Sequence, residues 1–351
     1  HEFCEVGKFQ LKILVTGGAG YIGSTICSAL EDRHHTPLVI DSLITGREEF
    51  LRGRPFYHAD ISDVDALETI FEDHDDIEAV IHCAGRIIIP ESVINPFIYY
   101  KENLSKSIDL LNFLSKTRSR KIVFSSTAGM YENKNGNMVT EESSLRPSNP
   151  YANTKLAIEM ALHDFCRAYS MRTISLRYFN PIGADPKMRS GPYTENPTHI
   201  LGKLINAARK NTAFEVTGTD WPTRDGTGIR DYVHVWDLAE AHVKAIEQFD
   251  NVVSQECPFL AINLGTGRRF KLKAVANEIF DLMGFSPKIE YDTSKPTGVV
   301  SRALDTNRAK RLLGWKPDVS LEDGLQKAID WYVKTHGRKG FVDQKILMER
   351  S

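Results

Sequence analysis

No stretch of this 351-residue chain approaches the roughly 20 consecutive apolar residues that a membrane-crossing helix needs. No charge of one sign is in excess either. Forty-four Lys and Arg stand against 46 Asp and Glu, a net charge of -2, which supplies no field for nucleic acid or an anionic membrane. Cysteine is scarce: Cys4, Cys27, Cys83, Cys166 and Cys257 are odd in number, widely spaced and form no C-x-x-C. A disulfide framework or a cysteine metal site is therefore not expected, and a reducing cytoplasm is the expected compartment. Cys27, Cys83 and Cys166 are expected to act as small core hydrophobes. The first residues show neither the basic region nor the apolar core of a secretory signal. His234 and His242 stand eight apart with no third ligand in view, so no metal is expected. The remaining composition, 41% hydrophobic and 26% charged, suits a soluble globular chain long enough for two domains.

What is present begins with a β-branched run at residues 11–16, then Gly17-Gly18-Ala19-Gly20-Tyr21-Ile22-Gly23, then a helical pattern over 24–30. Strand, glycine loop and helix in that order make a dinucleotide fingerprint credible. Gly17 suits a tight turn, Gly20 lets backbone amides approach a pyrophosphate, and Gly23 allows close helix–strand packing. The next apolar run ends at Asp41, followed by Ser42. A carboxylate there can accept the ribose hydroxyls and repels a 2′-phosphate, which favours NAD over NADP. Asp60-Ile61 falls where an adenine could be held. The 78–82 strand ends in Cys83-Ala84-Gly85, small residues that allow close approach. His82 at that strand end reads as a satisfied structural histidine. A long helix is expected over 92–115, in which Asn103 is either an exposed polar residue or a cofactor contact.

The strand at 120–124 runs into Ser125-Ser126-Thr127, three hydroxyls at the mouth of an open α/β sheet. Tyr151 and Lys155 follow four residues apart, one turn on the same helix face. A cation beside a phenol favours the phenolate, so the pair suits a tyrosine base. Beyond 181 the texture changes to a loop over 183–199, a helix over 200–210 and a small strand pair over 211–230. Helices follow at 236–249 and 271–283, separated by a strand at 259–264. Ser320 and Asp323 suit a capping box.

Taken together, Thr16 to Ser24, Asp60-Ile61, Ala84-Gly85, Tyr151 to Lys155, Leu176-Arg177-Tyr178-Phe179-Asn180-Pro181-Ile182-Gly183-Ala184 and the stretch from Pro222 to Val235 resemble the extended short-chain dehydrogenase/reductase family, most narrowly its nucleotide-sugar epimerases. The resemblance implies an α/β fold: a Rossmann-type doubly wound parallel sheet with a smaller C-terminal α/β domain. The NAD-binding part is expected over 11–181 with 231–267 returning to it, and the nucleotide-sugar part over 182–230 and 268–340. The implied reaction is inversion at C4 of a UDP-hexose of the glucose/galactose type through a 4-keto intermediate. Tyr151 is implied as the base, Lys155 as the group that holds the nicotinamide ribose and lowers the tyrosine pKa, and Thr127 as the partner of the reacting oxygen. Tyr21, Ile22, Asp41, Ser42, Asp60, Ile61, Cys83, Ala84, Gly85, Asn103 and Phe179 are implied NAD contacts. Asn180 and Arg230 are implied contacts of the nucleotide-sugar, and a guanidinium at 230 suits a diphosphate. A homodimer through the helices near 92–115 and 151–169 is also implied.

Four segments depart from the family pattern: Arg86-Ile87-Ile88-Ile89-Pro90, His199, Lys295-Pro296-Thr297-Gly298 and Arg302. They bear on the sugar, and leave UDP-N-acetylglucosamine or UDP-glucuronate as alternatives. A dehydratase or decarboxylase needs a carboxylate just after Thr127, where Ala128-Gly129-Met130 stands. A reductase would prefer NADP, which Asp41 disfavours, and a non-catalytic NAD sensor would not need Thr127, Tyr151 and Lys155 together.

Overall fold

The β-branched runs become the strands of one sheet because each is apolar on both faces. In β1 (Lys12–Thr16), Ile13, Leu14 and Val15 are all fully buried, as strands covered by helices on both sides must be. The computed structural model describes residues 10–132, 138–193, 200–210, 212–217, 229–284, 289–292 and 303–337. In chain order its elements begin with β1, α1 (Tyr21–Asp32), β2 (Thr36–Asp41), β3 (Phe56–His58), α2 (Val64–Asp73), β4 (Ile77–His82), α3 (Ile89–Ile94), α4 (Pro96–Tyr99) and a π-helical turn (Tyr100–Ser105). There follow α5 (Lys106–Leu114), β5 (Lys121–Ser125), β6 (Met138–Val139), α6 (Pro150–Tyr169), β7 (Arg172–Tyr178), β8 (Asn180–Ile182), α7 (Ile200–Lys210), β9 (Phe214–Thr217), β10 (Ile229–Arg230), β11 (Tyr232–His234) and α8 (Val235–Glu247). The chain continues with α9 (Phe249–Val252), β12 (Phe259–Leu264), β13 (Phe270–Lys271), α10 (Leu272–Met283), β14 (Ile289–Asp292), β15 (Ala303–Leu304), α11 (Asn307–Leu313) and α12 (Leu321–His336).

Seven strands form the central sheet in the order β12-β7-β5-β4-β1-β2-β3. Every pairing in it is parallel. The chain leaves β1 toward β2 and β3, then crosses back to β4 on the other side of β1. That reversal opens a crevice at the carboxyl ends of β1 and β4, where Thr16 stands opposite His82. One face packs α1 and α8 on the sheet, with Ile26, Leu30, Leu238 and Val243 fully buried. The other face is closed by α5 and α6 through Leu110, Leu114, Ile158 and Leu162. A second core joins α7, α10 and α12 through Leu204, Ile205, Ile279, Leu325 and Ile329.

Two expectations change. The long helix over 92–115 is broken into α3, α4, the π-helical turn and α5. Pro96 cannot donate to the preceding turn, and Asn95 starts a new helix by accepting from the Ile98 amide. The strands expected to pair with each other in 211–230 pair elsewhere: β9 runs parallel to β14, and β10 antiparallel to β13. Such pairing across distant segments leaves no trace in local sequence. The cap at Ser320 forms, its Oγ accepting from the Asp323 amide at 3.1 Å and donating to the Asp323 carboxylate.

The tightest packing lies under the glycine loop. A Cβ on Gly23 would sit 2.2 Å from the Gly17 carbonyl oxygen and 3.0 Å from the Gly18 Cα. Both obstacles are backbone and cannot swing aside. Gly23→Ala is expected to destabilise the protein by about 2 kcal/mol or more, read from urea denaturation. Wild-type stability in that variant would contradict the packing.

Candidate active site

The glycine loop delivers bare backbone amides. Gly20 caps α1 in extended conformation and contributes no side-chain cap, so the first amides of the helix stay open to an anion. Gly17 has φ +71°, and a Cβ there would meet Ala84 backbone at 2.8 Å. The ends of β1 and β4 therefore touch with no side chain between them. This floor and the positive helix end fit a dinucleotide diphosphate. Tyr21 donates to the Gly183 carbonyl at 2.6 Å, tying the loop to the segment after β8, and Ile22 packs on the α1–α8 core.

Asp41 stands at the end of β2 and is buried. Its Oδ2 accepts from the Ala19 amide at 3.0 Å and its Oδ1 from the Leu43 amide at 2.8 Å. The carboxylate thus shapes the loop and keeps a lone pair on each oxygen. Ser42 accepts from His58 through its carbonyl at 3.1 Å. Asp60 binds Lys106 at 2.6 Å and the Ser62 amide and hydroxyl, and Ile61 beside it is buried.

Thr127, Tyr151 and Lys155 gather near the carboxyl end of β5. Thr127 Oγ1 accepts from the Gly129 amide at 3.0 Å, starting a 3₁₀ turn over Ala128–Met130. Asn149 caps α6 by accepting from the Ala152 amide at 2.9 Å, and Pro150 takes the first helical position. That start sets Tyr151 beside Thr127, whose side chain favours the phenolate. Lys155, one turn on, is 3% exposed and donates to the Ser125 carbonyl at 2.9 Å, its Nζ lying 4.7 Å from the centre of the Phe124 ring.

The electrostatics differ from the expectation that Lys155 lowers the tyrosine. Burial pushes the Tyr151 phenol up to about 12, with the Thr127 hydrogen bond pulling the other way. Burial likewise pulls the Lys155 ammonium down to about 8, against Cys83 and Glu159, which raise it. The ammonium is spent on a backbone carbonyl, and desolvation governs both groups.

Sequence reasoning missed the groups behind this pair. Glu159, a further turn along α6, accepts from Ser126 and Ser175 at 2.6 Å each and from Arg177 Nε at 3.0 Å. Arg177 also donates to the Tyr131 hydroxyl at 2.9 Å, and Tyr131 donates to Asn263 at 2.7 Å. The signal lay in an acidic residue four after Lys155 and an arginine within an apolar strand. Under Lys155, His242 Nδ1 donates to the Leu238 carbonyl at 2.7 Å, so its neutral ring accepts from Ser125 Oγ at 2.8 Å. Cys83 Sγ then donates to Ser125 Oγ at 3.1 Å.

A second buried chain of hydrogen bonds runs under the crevice. Ser107 donates to the Asn103 carbonyl, so His82 Nε2 donates to Ser107 at 2.8 Å and Thr16 donates to His82 Nδ1 at 2.7 Å. Thr16 Oγ1 in turn accepts from the Cys83 and Ala84 amides at 3.2 Å each. Burial pulls His82 down to about 3, keeping it neutral and in this tautomer. Asn103 is buried, which removes the exposed alternative. Its Oδ1 accepts from the Arg86 amide at 2.7 Å, and its Nδ2 donates to the Arg86 carbonyl and to Thr154. It holds the backbone just after Gly85, where a Cβ would stand 3.1 Å from the Asn103 Oδ1.

On the opposite wall, Phe179 packs against Ala128, Tyr131, Val139 and Leu304. Asn180 pairs with Tyr232 across β8 and β11, and Arg230 lies in β10 next to them. His199, Lys295 and Arg302 lie outside the described residues. Among the described residues no group of three or more His, Cys, Asp or Glu side chains could hold a metal. No helix there is long and apolar enough to cross a membrane.

Known proteins share this arrangement. The model of the NAD dependent epimerase/dehydratase family matches residues 13–265. A UDP-glucose 4-epimerase of Bacillus subtilis (strain 168) is 37% identical over 335 residues, covering 92% of this chain and 96% of its own. The crystal structure of a UDP-glucose 4-epimerase from Stenotrophomonas maltophila, with NAD and formylated UDP-arabinopyranose, matches at a TM-score of 0.86 and 31% identity. It covers 93% of this chain and 99% of its own. One from Bifidobacterium longum, in complex with NAD+ and UDP, matches at 0.85 and 30% identity over 93% and 99% of the two chains.

The buried lysine gives a pH signature. Its folded pKa of about 8 lies below the ordinary 10.5, so between these values the unfolded chain holds a proton that the folded chain has released. Unfolding free energy then rises with pH through that window, by at most about 1.4 kcal/mol per pH unit. Relative to Lys155→Met, the wild type should gain stability between about pH 7.5 and about pH 9.5 in urea denaturation. A constant difference would contradict the burial of a titrating ammonium.

Proposed function

The chain belongs to the NAD dependent epimerase/dehydratase family, and from that premise we propose that it is an NAD-dependent epimerase inverting C4 of a UDP-hexose. The observation that carries this is Thr127 beside the buried Tyr151 phenol, with buried Lys155 one helical turn on and Ala128, Gly129 and Met130 where eliminating enzymes need an acid.

Gly17, Gly20 and Gly23 with the open amides of α1 hold the diphosphate of NAD, and Asp41 offers its free lone pairs to the ribose. Bound NAD supplies the acceptor and donor of the C4 hydride. Tyr151 takes the proton of the C4 hydroxyl as the C4–H bond is broken, leaving a ketone. Thr127, beside the phenol, orients that proton transfer. Lys155, held by the Ser125 carbonyl, has further N–H donors to offer a ribose hydroxyl. Return of the proton from Tyr151, after the keto-sugar has turned its other face, completes the inversion with no net redox change. The turning sugar must be held loosely while the nucleotide is held firmly. We assign that grip to residues 182–230 and 268–340, with Asn180 and Arg230 toward the nucleotide-sugar, and the rest of the sheet to NAD.

We place the enzyme in the cytoplasm as a homodimer. Ile94 and Phe97 are 85% and 74% exposed, and Val93, Ile108, Met160 and Tyr169 add apolar surface on the α3–α5 and α6 elements. A surface of that kind is usual for an interface between copies.

Two measurements test these readings. Tyr151→Phe should lower interconversion of UDP-glucose and UDP-galactose by about 10²–10⁴-fold while NAD stays bound. Retained activity would remove the assigned base, and a panel including UDP-N-acetylglucosamine and UDP-glucuronate names the sugar. Phe97→Glu should convert the dimer to a monomer in sedimentation; an unchanged assembly would move the interface elsewhere.

A further inference from the structure

Asp231 lies between two short strands that belong to different pairs: β10 is paired with β13, and β11 with β8. Its side chain is 2% exposed, and its carboxylate accepts four hydrogen bonds. Oδ1 accepts from the Thr266 amide at 2.9 Å and the Thr266 hydroxyl at 2.6 Å. Oδ2 accepts from the Gly267 amide at 3.0 Å and the Leu304 amide at 3.2 Å. These donors lie 35 to 73 residues away in sequence. The approach is close: a Cβ on Gly265 would stand 2.7 Å from Oδ2. Among the described residues, the donors that hold the carboxylate are all neutral.

We infer that Asp231 is a positioning residue that assembles the nucleotide-sugar wall of the cleft. The backbone of Arg230 precedes it and the Asn180 amide leans on its carbonyl at 3.5 Å, so both stand where Asp231 fixes the chain. The same carboxylate locks the turn after β12 and the end of β15 against that point. Four donors and no acceptor surround it, so an amide cannot replace it: an NH₂ group would face N–H groups and leave them unpaired in a buried place. None of its bonds reaches the glycine loop or the Thr127–Tyr151 pair, so the cofactor side should not depend on it. The inference rests on the nucleotide-sugar reading above.

The test compares wild type, Asp231→Asn and Thr266→Val, the last removing only the hydroxyl donor. UDP affinity is read by calorimetry, with kinetics for the UDP-hexose, bound NAD content and thermal stability measured on the same samples. Asp231→Asn should weaken UDP binding and raise KM by about tenfold, and Thr266→Val by about threefold. In both, kcat at saturation and NAD content should stay within about twofold of wild type. Should Asp231→Asn fail to fold, Thr266→Val carries the decision. Lowered melting with UDP affinity unchanged would overturn the inference, and so would a fall in kcat or NAD content with KM unchanged. A wild type that does not bind UDP would instead retire the nucleotide-sugar reading.

Discussion

One buried carboxylate, Glu159, holds three parts of the cleft in common register. It takes hydrogen bonds from Ser126 at the end of β5, Ser175 inside β7 and Arg177 near the end of β7, while riding on α6 one turn past Lys155. Taking such a pair out of water costs several kcal/mol per ion, and only a full set of hydrogen bonds offsets it. Here the set is nearly full, since Arg177 extends to Tyr131 and from there to Asn263. Removing either charge would leave the other stranded, a loss of about 3–5 kcal/mol. The pair therefore does little for net stability and much for geometry. Thr127 follows Ser126 directly, and Tyr151 and Lys155 precede Glu159 on the same helix, so their spacing is inherited from it.

Around that anchor the crevice is polar yet dry. His82 and His242 are both buried and neutral, and each passes hydrogen bonds in one fixed direction. His82 links the end of β1 to the first turn of α5, while His242 links α8 to Ser125, whose carbonyl holds Lys155. A neutral ring with a defined tautomer fixes its neighbours without adding charge beside the ammonium. The π-helical turn is where Asn103 reaches the backbone after Gly85. An extra residue in that turn changes the direction of its side chains, a common feature of functional sites.

Burial also sets the balance between the Tyr151 and Lys155 side chains. Water exclusion makes both Tyr151 and Lys155 reluctant to carry charge. Their charged forms then depend on what is brought against them, and a site of this kind answers to its ligands. The second core, built on α7, α10 and α12, takes in Tyr232 and Ile182 from the β8–β11 pair rather than from the central sheet.

The sequence by itself determined the sheet, the glycine loop and the pairing of Tyr151 with Lys155, because each depends on neighbours within a few residues. Runs apolar on both faces, a helix start at Asn149-Pro150 and a glycine packed against backbone are all local constraints. It also pointed to His82 as a structural histidine, though not to the chain of donors it serves. The tertiary structure alone decided what joins residues far apart. It broke the helix over 92–115, buried Asn103, paired β9 with β14, and gathered Thr266, Gly267 and Leu304 on Asp231. It also set the proton affinities of Tyr151 and Lys155, since desolvation is the work of the whole fold. A spacing of four residues specifies that two side chains share one helix face; it does not specify how much water is left around them.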